Sequence, residues 1–186
     1  MKAVRSTTLI LAAVTAGLMA GLFAAFAYSV MPGLKRSGDA AFVEVMQNIN
    51  VAIVNPLFMT MFMGGLVAGL AAVVANWRSG DPAVRYWAIA GFVCYLVMFL
   101  ITSGANVPLN DKLAAAGDPA MIADPAAVRA EFEGPWVAWN IARAVVNVGA
   151  LTCFALALLR SGRQAGVEVI ADPRAAKPAP ARPMSR

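Results

Sequence analysis

Four stretches of this chain, at about 7–30, 56–76, 86–105 and 137–159, are long and apolar, and they carry no charge apart from Arg143. A helix needs about 20 such residues to cross the hydrocarbon core of a bilayer. A soluble fold has no use for four of them. Only 13% of the 186 residues are charged and 60% are hydrophobic, whereas a soluble domain carries about 25% charged residues. The spans leave no length for a separate soluble domain. The expectation is one all-α membrane domain over residues 1–160, a bundle of four transmembrane helices.

Charge placement orients the bundle. Lys2, Arg5, Arg78, Arg85, Arg160, Arg163, Arg174, Lys177, Arg182 and Arg186 fall on one side, and Lys35, Arg36, Lys112 and Arg129 on the other. Ten against four places both termini in the cytoplasm by the positive-inside rule. Lys2 and Arg5 before an apolar run ending in Ala25-Phe26-Ala27 also resemble a secretory signal. The apolar run is longer than the roughly 7–15 residues of a signal core, so an uncleaved first span is expected. Residues 161–186, rich in Ala, Pro and Arg, read as a disordered basic tail drawn to anionic headgroups.

Two cysteines, Cys94 and Cys153, lie inside apolar runs on different spans and read as small buried hydrophobes rather than a disulfide framework. Histidine is absent. That removes the usual haem ligands, most zinc sites and the commonest general base.

Between the first two spans, Met31-Pro32-Gly33 is expected to stop the helix and Ser37-Gly38-Asp39 to start another. Residues 40–54 then set Phe42, Val45, Met46, Ile49 and Ile53 against Glu44, Gln47, Asn48 and Val51. This predicts an amphipathic helix on the bilayer surface, before the second span restarts at Asn55-Pro56. Pro108 is expected to end span three near Asn106, a short surface helix to lie within 120–132, and Gly134-Pro135-Trp136 to open span four. Trp77 and Trp87 sit where interfacial anchors belong. Gly17-x-x-x-Gly21 and Gly65-x-x-x-Gly69 read as ordinary close packing of helices.

The residues that need explaining are polar. Trp136, Asn140, Arg143 and Asn147 follow at spacings of 4, 3 and 4, one helical stripe about 16 Å long. A cation at this depth costs about 2.5–3.5 kcal/mol on insertion scales, so a partner, a water path or a task is expected. Asn106, Asn110 and Asp111 reach the same outer edge from span three, and Gln47, Asn50 and Asn55 reach it from the amphipathic segment. A salt bridge from Arg143 to Asp111, Glu44, Glu131 or Glu133 is open at this stage. The combined set points to a pocket opening at the outer face, although single Asn residues in membrane helices also serve packing alone.

Met31-Pro32-x-Leu34, Phe42-Val43-x-x-Met46-Gln47-x-Ile49-Asn50, Asn55-Pro56-x-Phe58, Asn106-x-Pro108-x-Asn110 and Trp136-x-x-Trp139-Asn140-x-x-Arg143 occur in that order. Together they resemble the bacterial branch of an integral membrane family that includes fungal anthrone oxygenases, over about residues 7–160. Many members of that branch have no assigned function. The resemblance implies oxidation of an activated aromatic C–H with no metal, flavin or haem cofactor. On that reading Arg143, Asn140 and Asn106 are donors to an enolate oxygen and Asp111 is a base. Trp136, Trp139, Phe42, Asn110, Gln47, Asn50 and Asn55 would surround a lipophilic substrate. The expected partners are the bilayer and a lipophilic small molecule, with no nucleic acid. The alternative is a non-enzymatic lipophile-binding or structural membrane protein. One intramembrane charge and no internal repeat argue against an ion-driven transporter.

Overall fold

The computed structural model describes residues 2–79 and 81–171, with side chains described as far as residue 163. Its elements are α1 (Lys2–Ala25), a π-turn (Phe26–Val30), α2 (Met31–Leu34), α3 (Asp39–Ala52), α4 (Pro56–Asn76), α5 (Pro82–Ile101), a second π-turn (Thr102–Asn106), α6 (Val107–Ala115), a 3₁₀ turn (Pro119–Met121) and α7 (Pro125–Ala171). No strand occurs among the described residues. Four helices are long and apolar enough to cross a membrane: Lys2–Leu34, Pro56–Asn76, Pro82–Ala115 and Pro125–Arg163. The chain is a multi-pass membrane protein, and the bundle expected from sequence is present.

The four spans form a ring in the order α1, α4, α5, α7, each packed on two neighbours. Leu9, Ala12, Ala16 and Met19 of α1 meet Phe62 and Ala72 of α4, Ala88, Tyr95 and Met98 of α5, and Ala150, Phe154 and Ala157 of α7 in one buried core. Small residues on these faces let helices approach where packing replaces the hydrophobic effect. Gly65 and Gly69 do not meet helix backbone, however. They make room for aromatic rings of α5, Gly65 for Tyr95 and Gly69 for Phe92. The Tyr95 hydroxyl donates to the Phe62 carbonyl at 3.1 Å. Cys94 and Cys153 are both free.

Pro32 and Pro108 do not stop their helices, which corrects the sequence expectation. A proline inside a helix loses one N–H and drives its ring against the carbonyl four residues earlier. Those carbonyls belong to Tyr28 and Gly104, each at the centre of a π-turn. The i→i+5 turn is wider than an α turn, which moves the offending carbonyl aside and lets the helix run on as α2 or α6. Pro135 is likewise passed within α7. Span four therefore begins well before Gly134-Pro135-Trp136, at Pro125. There the Asp124 carboxylate accepts from the Ala127 N–H at 3.0 Å and supplies the cap. The short surface helix expected within 120–132 is mostly the first turns of this helix. At its far end α7 continues to Ala171, beyond the point where the basic tail was expected to begin; residues 172–186 of that tail lie outside the described residues.

At about 1.5 Å per residue, the 47 residues of α7 are more than twice as long as the bilayer core is thick. Its first turns stand clear of the bundle and carry a cap. Met31, Phe42, Val43, Met46, Leu113, Phe132 and Trp136 form a second core there. So α3 is amphipathic as expected, but its buried face meets protein, not lipid. Arg129 fastens the cap. It pairs with Glu133 at 2.7 Å and Asp39 at 2.9 Å, donates to the carbonyls of Ser37 and Lys35, and lies 4.4 Å over the Phe42 ring.

Candidate functional site

Where the cap meets the bundle, a cavity of about 220 Å³ is walled by α1, α3, α4, the second π-turn and α7. Its polar wall begins with Asn140 and Arg143, which are three apart and so share a helix face. The Asn140 amide donates from Nδ2 to the Phe23 carbonyl at 2.9 Å. Its Oδ1 accepts from Arg143 Nη2, also at 2.9 Å. A carbonyl can only accept and a guanidinium can only donate, so both ends of this amide are assigned by their partners.

Arg143 is only 6% exposed. Its guanidinium carbon lies 4.3 Å from the Phe23 ring centroid and 5.5 Å from that of Trp136. The salt bridge left open in the sequence is not formed. Among the described residues the carboxylates of Asp39 and Glu133 pair with Arg129 instead, and Arg143 Nε has no hydrogen-bond partner. The charge is stabilised by one amide and two ring faces, and its Nε–H is buried without a partner.

Asn106 is the second anchor. The π-turn points it at α7, where Nδ2 donates to the Trp136 carbonyl at 3.2 Å. That bond turns Oδ1 the other way, and Oδ1 is buried without a partner. One turn on, Asn110 Oδ1 accepts from the Trp136 indole N–H at 2.8 Å. Asn50 adds a buried, unpaired Nδ2 from α3. Thr102 Oγ1 is turned back to the Met98 carbonyl at 2.9 Å. The cavity thus combines unpaired donors (Arg143, Asn50) with an unpaired acceptor (Asn106) inside an aromatic and aliphatic surround of Phe23, Phe26, Phe58, Phe62 and Trp136. Buried polar atoms are normally paired with protein or water, and three of the exceptions among the described residues belong to side chains that line this one cavity.

Of the residues nominated from sequence, Arg143, Asn140, Asn106, Asn110, Asn50 and Trp136 are brought together on this wall. The others are not. Asp111 is exposed and Trp139 is 45% exposed, both off the wall. Gln47 donates to the carbonyls of Leu113 and Gly117, tying α3 to the end of α6. Asn55 caps α4 by accepting from the Phe58 N–H at 3.0 Å. Phe42 lies in the second core. Asn147 leaves the stripe to donate to the Ala16 carbonyl at 3.2 Å. Among the wall residues missed in the sequence are Thr102, Phe23, Phe26, Phe58 and Phe62, all in or beside apolar runs. Thr102 stands four before Asn106, a spacing that would have found it.

A larger groove on the cap, about 410 Å³ and lined by Leu109, Lys112, Val128 and Glu131, has none of these unpaired buried atoms. The smaller cavity is therefore the candidate site.

Fold and site together define a four-span membrane protein with a cation buried beside an aromatic cavity and no carboxylate against it among the described residues. Comparison with known families gives the class a name. The family model described as anthrone oxygenase matches residues 58–153, and the chain belongs to that family. The matched stretch carries Asn106, Asn110, Trp136, Asn140 and Arg143. The walls from α1 and α3 lie before it. No curated protein matches the chain, and no solved structure does.

Proposed function

We propose that the cavity binds a flat aromatic ketone and stabilises its enolate, which then reacts with dioxygen without a bound cofactor. The observation that carries this reading is Arg143. It is a buried guanidinium, held by Asn140 and two rings, with its Nε–H unpaired and, among the described residues, no carboxylate paired with it. Such a preorganised donor in a water-poor site favours charge that develops on an oxygen. The activated C–H proton passes to water, leaving the electron pair on that oxygen and the ring system; the anion passes an electron to dioxygen, the resulting radical and superoxide combine at that carbon, and the proton is returned as water leaves. In converting a ketone of the anthrone type to a quinone, one oxygen atom stays in the product and the other leaves as water. Asn106 and Asn50 complete the polar contacts. Asp111 follows a wall residue but is itself exposed, so this reading gives it no direct contact with substrate.

The test is oxygen uptake by the detergent-purified protein with a panel of anthrones, beside Arg143→Met. Removing one oxyanion donor of this kind costs about 10²–10³ in rate. Uptake equal to autoxidation in both proteins refutes the oxygenase reading. One observation favours a second reading, a lipophile-binding protein without turnover: the described cavity wall offers no carboxylate as a base. Saturable binding of the same ketones with no uptake above background would establish it. The charge asymmetry along the chain supports residence in the cytoplasmic membrane with both termini inside.

A further inference from the structure

We infer that the cavity is loaded sideways from the bilayer, through a portal between the start of α4 and the second π-turn, by a lipophile already dissolved among the acyl chains. This rests on the ligand binding proposed above and not on turnover.

The cavity has two kinds of border. Toward the cap it is shut. The Trp136 indole is stacked on Phe132 at 5.9 Å and packed against Phe26 at 5.8 Å. Its N–H is tied to Asn110, and the second core lies above it. A ligand arriving from water would have to break that hydrogen bond and disrupt both aromatic contacts. On the flank the border is made by Val54, Met59 and Val107, which are 68%, 39% and 42% exposed and yet also line the cavity, with the exposed Ser103 of the second π-turn beside them. Ser103 apart, this border is apolar, with Val54 just before the second span, Met59 in its first turn and Val107 within the third. In a bilayer this lip faces hydrocarbon, where a charged or strongly hydrated ligand does not travel.

Behind the lip the chemistry reverses. Arg143 Nε and Asn106 Oδ1 are buried and unpaired. A molecule that satisfies both must present an acceptor oxygen and a hydroxyl or amine donor on one edge, with the rest of it apolar. At about 220 Å³ the cavity is smaller than the roughly 300–1,000 Å³ of pockets for drug-sized ligands. A flat two- or three-ring phenolic ketone therefore enters polar edge first and leaves its far edge at the lip.

The experiment uses full-length protein in lipid nanodiscs, with Trp77→Phe, Trp87→Phe and Trp139→Phe so that Trp136 is the sole indole emitter. The probe is 1-hydroxyanthraquinone, already at the quinone level, and its binding is followed as quenching of Trp136. Narrowing the portal with Val107→Phe, and separately with Met59→Phe, is expected to slow association and dissociation together by about tenfold, an effect of roughly 1.4 kcal/mol on a barrier, with Kd unchanged. Both positions are exposed, so neither variant disturbs the core. Phe132→Leu, which loosens the packing over the indole on the cap side and lies off the cavity wall, should leave both rates unchanged. If the portal variants bind at the parental rate while Phe132→Leu accelerates binding, entry is from water and the inference is overturned. If the probe does not quench Trp136 at all, the cavity does not bind this class. In that case the binding reading falls first and takes the portal with it.

Discussion

Arg143 and Asn140 are joined by one hydrogen bond, yet removing them should have very different consequences for stability. A cation at the middle of a membrane helix costs about 2.5–3.5 kcal/mol. The hydrogen bond from Arg143 Nη2 to Asn140 at 2.9 Å offsets about 1.5–3 kcal/mol of it, as expected for a bond to a charged group. The Phe23 and Trp136 faces, 4.3 and 5.5 Å away, add about 0.5–2 kcal/mol each. At the lower end of their ranges the favourable terms match this cost. Arg143→Met, which fills similar volume without the charge, should therefore change stability by less than about 1.5 kcal/mol in either direction. Asn140→Leu is different. It removes the charged hydrogen bond and the one to the Phe23 carbonyl while the cation stays buried, so about 2–4 kcal/mol should be lost. Adding Arg143→Met to Asn140→Leu should then restore at least about 1.5 kcal/mol, because the stranded charge is gone. The assay is reversible unfolding in mixed micelles on titration with SDS, read by circular dichroism. Arg143→Met costing more than Asn140→Leu, or a double variant no better than Asn140→Leu alone, would show that the guanidinium is a structural keystone and refute the reasoning.

Other outcomes follow from the packing. A Cβ at Gly65 would run into the Tyr95 ring and hydroxyl, so Gly65→Ala should cost about 1–3 kcal/mol, and Tyr95→Leu in the same chain should shrink that loss; SDS titration measures both. Asn55→Ala removes the cap of α4 and should cost about 0.5–2 kcal/mol, with faster amide exchange at Phe58. Arg129→Ala releases Asp39, Glu133 and two backbone carbonyls together. It should speed hydrogen exchange across residues 31–52 by at least about tenfold, or 1.4 kcal/mol of local stability, and leave α4 and α5 unchanged. Uniform exchange across the whole chain would sink the picture of a separately fastened cap.

The spans were legible because lipid imposes one rule on every residue they contain, and the Asn140–Arg143 contact was legible because both residues lie on one helix. What joins different helices was not. The bond from Asn106 to the Trp136 carbonyl depends on the third span running on through the second π-turn and Pro108 into α6, and proline rules alone predict that it stops. Once α6 is seen to continue, Asn106 and Asn110 share a face, and Asp111, about 100° further round, is carried outward. That rotation is why the carboxylate nominated as a base stands off the cavity wall. Phe23 and Phe58 gave no signal because an aromatic residue in an apolar run looks the same whether it faces lipid, core or ligand. Gln47 and Asn55 were read as wall residues on polarity, but each satisfies backbone groups at a helix end, the commonest use of an amide side chain near a terminus.

The two π-turns also set a rotational phase. An i→i+5 turn holds one residue more than an α turn, and one residue is about 100° of helix. Deleting a single residue within 102–106 would remove the wider turn that accommodates Pro108 and swing every side chain beyond it by more than a quarter turn relative to α5. Asn110 would leave the indole of Trp136, and the polar wall would come apart without any of its members being mutated. In this fold, the spacing between residues belongs to the site as much as their identities do.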